Sequence, residues 1–155
     1  MTPHRHAAGF TLLEVLIVFA ILSILGAIAY PTYAGYIVRT RRAEGLIAMI
    51  EAMQQQERYR ARHNTYVAFS AGEMPSGDAD FTWWSGQAAA SSAYELDAYA
   101  CPGRDIADCV EIRASPGTVR VDTRFRDPAC GYLTLDSLGR QGAQGTETGG
   151  ARCWP

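Results

Sequence analysis

Residues 10–29 read Phe-Thr-Leu-Leu-Glu-Val-Leu-Ile-Val-Phe-Ala-Ile-Leu-Ser-Ile-Leu-Gly-Ala-Ile-Ala, with one charge (Glu14) and two hydroxyls (Thr11, Ser23). As a helix rising ~1.5 Å per residue this stretch spans about 30 Å, the thickness of a bilayer's hydrocarbon core. It is predicted to be a membrane segment. The preceding Met-Thr-Pro-His-Arg-His-Ala-Ala-Gly reads as a short basic leader, and Ala27-Ile28-Ala29 has the form of an ordinary signal-peptidase site that would release a soluble chain at Tyr30. Two features oppose that: the apolar run exceeds the usual ~7–15 residues of a signal sequence, and an ionisable Glu14 sits near its start.

An acidic side chain at the centre of a membrane helix costs on the order of 2.5–3.5 kcal/mol, and less near the interface. Cleavage between Gly9 and Phe10 would create an α-amine four residues before Glu14. That cation would offer an opposite charge, on the same chain or on a neighbour.

The run Gly9-Phe10-Thr11-Leu12-Leu13-Glu14, followed by the long apolar stretch, resembles the type IV prepilin signature. The resemblance implies a prepilin peptidase that cuts after Gly9 on the cytoplasmic side and methylates the new N-terminal Phe10. It also implies that the apolar segment stays in the mature protein, and that Glu14 meets the N-terminal amine of an adjacent subunit inside a filament. The leader offers only Arg5, with His4 and His6, against Arg39, Arg41 and Arg42 beyond the segment, so the positive-inside count alone does not place the N-terminus in the cytoplasm. The N-in orientation is chosen because disulfides require an exported head.

Beyond the membrane segment the chain divides, on this reading, into a leader (1–9), a transmembrane or filament-core helix (10–30), an amphipathic continuation (31–62) and a globular head (63–155). Pro31 ends the apolar run, and with Gly26 and Gly35 nearby it marks the expected bend or hinge. The resemblance implies that the hinge lets the helix extend as subunits pack. Ala43, Leu46, Ile47, Ile50 and Met53 recur at helical spacing and predict the core-facing stripe, while Arg39–Arg42 and Gln54-Gln55-Gln56 are assigned to the solvated side. Helix is predicted to about Arg62, before Asn64.

In the head, residues 71–92 read as a loop with Phe81, Trp83 and Trp84 packing beneath it, and Asp78 and Asp80 as turn residues rather than a calcium pair. Alternating patterns predict strands at 94–99, 110–113, 119–125 and 131–136, the last ending in the turn Asp136-Ser137-Leu138-Gly139. The fold class is therefore α+β: a long N-terminal helix packed on an antiparallel sheet of about four strands.

Cys101, Cys109, Cys130 and Cys153 are even in number and follow a secretory-type N-terminus, which predicts disulfides. Zinc is disfavoured by the wide spacings and the absence of any Cys-x-x-Cys pair. Four cysteines allow three connectivities. If Cys101 pairs with Cys109 it staples the first strand connection, and Cys130–Cys153 then closes a larger loop. The run 130–136 with Gly139 and the terminal Cys153-Trp154 is similar to the end of PilE-type minor pilins, and that similarity implies the second pair as the closure of the so-called D-region.

The 14 basic residues are all Arg and nearly balance 16 acids, for a formal net charge of −2. From Pro31 to Arg62 the balance is +3, whereas from His63 onward it is about −5, so the head is acidic. No catalytic constellation is present in the sequence: one His (His63) remains after the leader, with no HExxH, GxSxG or phosphate-binding glycine loop. The expectation is a protein that is not an enzyme, without cofactor or metal. Its expected role is that of a minor structural subunit of a type IV pilus, supporting assembly, twitching motility and adhesion. Its expected partners are other pilin subunits, the prepilin peptidase and the inner membrane, before it enters the extracellular filament. Two alternatives share the N-terminus. One is a DNA-binding pilin for uptake, with Arg120, Arg124 and Arg126 on one strand face and Arg113 on a neighbour touching phosphates. The other is a type II secretion pseudopilin.

Overall fold

A computed structural model describes residues 11–75, 81–145 and 152–154. Among these residues it is α+β: one α-helix, α1 (Leu12–His63), a single 3-10 turn at Ala89–Ser91, and an antiparallel sheet of strands β1 (Tyr94–Ala100), β2 (Val110–Pro116), β3 (Leu133–Asp136) and β4 (Gln141–Ala143) in the order β1-β2-β3-β4. The chain forms two compact units that divide between Ile37 and Val38. Helical assignment is unbroken through Gly26, Pro31 and Gly35.

In the first unit the described helix exposes its apolar side chains all round, Leu12, Leu16, Phe19, Leu22 and Leu25 among them. A helix with no polar face is one whose surroundings are apolar. Its length and composition suffice to cross a membrane. The hydroxyl of Ser23 is satisfied locally, donating to the Phe19 carbonyl at 2.7 Å.

In the second unit α1 lays Leu46, Met49 and Ala52 against Leu96, Ile112 and Leu133 of the sheet, all buried. The expected stripe is rotated by roughly one residue: Ala43, Ile47 and Ile50 face outward, and Gly45, Met49 and Gln56 replace them inside. Gly45 accounts for the rotation. A Cβ there would lie 2.8 Å from the Tyr94 ring, so the bare backbone is what admits the aromatic side chain to the helix surface. Gly45→Ala is expected to cost about 1–3 kcal/mol through overpacking, despite the better helix propensity of alanine. A urea unfolding curve indistinguishable from wild type would show that the Tyr94 ring can give way. Gln56, assigned to the solvated side, is instead buried and clips the chain after the helix: its amide donates to the Val67 carbonyl (2.6 Å) and accepts from the Val67 N–H (3.0 Å). The helix ends where Asn64 takes a left-handed φ of +57°.

The strands at 94–99, 110–113 and 131–136 form as β1, β2 and β3. The pattern at 119–125 does not form a strand. Gly117 turns the chain at φ +59°, with the Phe125 carbonyl 2.1 Å from where a Cβ would sit. The following residues satisfy their amides in turns, Val121 N–H to Thr118 O and Phe125 N–H to Asp122 O, instead of in a ladder. Val119, which the alternation placed inside, is 91% exposed. The fourth strand is β4, whose three residues Gln-Gly-Ala carry no strand signal and which pairs with β3 through Leu133–Ala143 and Leu135–Gln141.

Among the described residues both sheet edges are partly covered, which leaves fewer sites for unwanted pairing. Phe69 and Ala98 exchange backbone hydrogen bonds along β1, the Leu96 N–H donates to the Trp83 carbonyl at 2.8 Å, and the Trp154 indole N–H donates to the Gly142 carbonyl of β4 at 3.0 Å. Phe81 is buried and stacks on Phe69, and the half-buried Trp83 and Trp84 meet edge to face. The 81–84 aromatics thus pack beneath their loop as expected.

Candidate assembly and ligand surfaces

Gly9 and Phe10, the predicted cleavage and methylation positions, lie outside the described residues, as do Asp78 and Asp80. At the first described turn, the Thr11 hydroxyl accepts the Glu14 N–H at 3.3 Å. Thr11-x-x-Glu14 is thus an N-cap pair, and a carboxylate in the first turn also suits the positive end of the helix dipole. That local role was legible as Thr-x-x-Glu before an apolar run, and it was missed beside the charge-pairing reading.

The two disulfides are Cys101–Cys109 and Cys130–Cys153. The first closes the β1–β2 connection, and the second ties the segment before β3 to the C-terminal turn. Cys101, Cys109 and Asp136 place their ligand atoms within 4.8 Å of one another, but both sulfurs are in the disulfide and neither is a thiolate that a metal could take.

Between helix and head lies a polar clasp. Arg42, expected on the solvated side, faces inward and grips Asp127 with both arms (Nε–Oδ2 2.7 Å, NH2–Oδ1 2.8 Å). The Tyr94 hydroxyl donates to the same carboxylate at 2.6 Å, and the Cys130 N–H reaches it at 3.3 Å. Burial alone would raise the Asp127 pKa, but the hydrogen bonds from Arg42 and Tyr94 and the guanidinium charge outweigh it and hold the carboxyl below its ordinary value. Burial, then the bond to Asp127, pushes the Tyr94 phenol far up.

The outer sheet face and the adjoining turns carry the arginines expected to form a basic stripe. Three of the four are matched by a carboxylate: Arg113 by Asp97 (3.7 Å), Arg120 by Glu95 (3.2 Å), Arg124 by Asp122 (3.4 Å). Arg126 is spent on the Thr123 and Phe125 carbonyls. Since 119–125 is a run of turns, Arg120, Arg124 and Arg126 do not share a strand face, although Arg124 is 91% exposed and free to reach outward. The Arg113 guanidinium lies over the Tyr99 and Tyr132 rings. Burial and the Glu111 acceptor push the Tyr99 phenol up to about 12.

A water-shunning helix that begins with a Thr-Glu cap, continued by an α+β head closed with two disulfides, defines a type IV pilin-like protein. Residues 4–30 match the prokaryotic N-terminal methylation motif. Residues 31–134, the larger part of the chain, match the family described as type IV minor pilin ComP, DNA uptake sequence receptor, and the chain belongs to that family. Among characterised proteins, the type IV major fimbrial protein FimA of Dichelobacter nodosus is 55% identical over 38 residues, 24% of each chain. A protein of the same organism described as fimbrial protein, and FimA of its strain VCS1703A, match to the same extent. The match spans about a quarter of the length of these relatives.

Proposed function

We propose that this minor pilin is cut after Gly9, methylated at Phe10 by a prepilin peptidase, held in the inner membrane with its N-terminus cytoplasmic, and then built into an extracellular pilus among other pilin subunits. In this reading residues 10–29 form the filament core, Glu14 meets the amine of a neighbouring subunit, and Gly26 and Pro31 supply the hinge. The chain acts by packing and binding, without catalysis. Motility and adhesion would follow from the filament.

We further propose that its head binds DNA. The observation that supports this is the match over 31–134, which lies in the helix and head and is independent of the shared N-terminal motif. It also favours a pilus over a type II secretion pseudopilin. Arg124 is the leading candidate phosphate contact, since it is highly exposed and only weakly engaged by Asp122, whereas half-exposed Arg120 would have to leave its hydrogen bond to the nearly buried Glu95 carboxylate.

Intact mass and N-terminal sequence of the protein from a sheared surface fraction, with and without the peptidase, test the first part. The expected species begins at methylated Phe10 and is four hydrogens light for two disulfides; one beginning at Tyr30 would sink the filament reading. For the second part, fluorescence anisotropy of a labelled duplex with the detergent-solubilised full chain is expected to show salt-dependent binding. Arg124→Gln should lower the log–log salt slope by about 1. No binding at low salt would refute the DNA reading.

A further inference from the structure

Residues 117–126 form a run of turns that is fastened on several sides. The Gly117 N–H donates to the Ala93 carbonyl (3.0 Å) and the Asp122 N–H to the Ser92 carbonyl (2.9 Å), which ties the run to the residues just ahead of β1. Val121 and Phe125 are buried as its root, and the Phe125 ring meets Tyr94 edge to face at 5.4 Å. The Thr118 hydroxyl donates to the Glu95 carboxylate, and Arg126 donates to the Thr123 and Phe125 carbonyls. What this frame holds outward is Val119, 91% exposed and the most exposed large apolar residue among those described. Arg124, five positions on, has an equally exposed side chain. Within the run three arginines stand against one acid, Asp122, whereas the head as a whole is acidic.

We infer that Val119 is a base-reading residue, entering the major groove of a DNA duplex to meet the C5-methyl of thymine while Arg124 engages a phosphate; the inference rests on the DNA-binding reading above. The thymine methyl is the apolar group that base pairs present in that groove, and a small aliphatic side chain suits it. The phosphates that border the groove attract the arginine. A protein partner is the poorer fit, because it would cover a contiguous apolar patch. The other exposed residues of the run, Arg120, Thr123, Arg124 and Arg126, are all polar. A loop already fixed before binding loses little freedom on docking, so ordering does not cancel the gain from a single methyl contact.

The test uses the detergent-solubilised full chain and a randomised duplex pool, enriched by selection on wild type and then copied with either thymidine or deoxyuridine triphosphate. The two copies differ in the C5-methyls alone. By fluorescence anisotropy, wild type should bind the thymine copy about fourfold more tightly, the worth of one buried methyl. Val119→Ser, at a side chain that packs against nothing, should bind both copies alike. Val119→Thr, which differs from serine by one methyl, should retain most of the difference, and Arg124→Gln should weaken both copies equally. Equal binding of the two copies by wild type would overturn the inference, as would a difference that persists in Val119→Ser. A Val119→Ser chain that keeps the wild-type difference but enters sheared filaments poorly would overturn it too and assign the loop to a pilin contact. Failure of wild type to bind the starting pool at low salt would instead refute the DNA-binding reading, and this inference with it.

Discussion

Asp127→Ala is expected to destabilise the head by about 3–5 kcal/mol, the range for removing one partner of a buried ion pair. Its carboxylate is fully buried and accepts four hydrogen bonds, two from Arg42, one from the Tyr94 hydroxyl and one from the Cys130 N–H. Alanine would leave a largely buried guanidinium without a counter-ion and a phenol without an acceptor. In a domain with total stability of about 5–15 kcal/mol this is a large fraction. The depressed Asp127 pKa sets the sign of the pH dependence: its stabilisation is fully present above the unfolded carboxylate value of about 3.9 and is lost as pH falls through the lower folded value. Wild type should therefore lose stability in acid below about pH 4, and Asp127→Ala should show a flatter acid limb. Urea unfolding of the full chain in detergent at neutral and acid pH measures both. A variant within 1 kcal/mol of wild type, a margin typical of exposed ion pairs, would mean that the clasp contributes no more than a surface pair.

Cys130→Ser with Cys153→Ser is the other large loss, about 3 kcal/mol from loop-closure entropy over a separation of 23 residues. A further contribution comes from Trp154, next to Cys153, whose indole N–H closes the β4 edge at the Gly142 carbonyl. Opening the Cys101–Cys109 pair, at a separation of 8, should cost less, about 2.5 kcal/mol. Unfolding free energies of the two double-serine variants decide this. Equal losses would show that the C-terminal turn stays docked without its disulfide.

Much of the fold was readable because its signals are local. Residues 10–29 announce a membrane helix by length and apolarity alone, and β1, β2 and β3 alternate with period two because one face of the sheet meets the helix. The errors share a cause. The pattern at 119–125 alternates as a strand does, but Gly117 redirects the backbone and the turns satisfy its amides first. Strand β4 has no propensity and exists because β3 offers it an open ladder. Arg42 and Gln56 read as solvated because polarity is a prior for exposure, and that prior fails when a distant partner supplies the hydrogen bonds.

Composition and periodicity were enough to establish the apolar N-terminal helix, the α+β class, the expectation of disulfides and the lack of a catalytic motif, since each depends on neighbours along the chain. Which cysteines pair, which face of α1 is buried and the clasp of Arg42 with Asp127 across 85 residues came from the folded chain. These are contacts between residues far apart in sequence, and their energies depend on burial and hydrogen-bond geometry that exist only once helix, sheet and C-terminal turn have packed together.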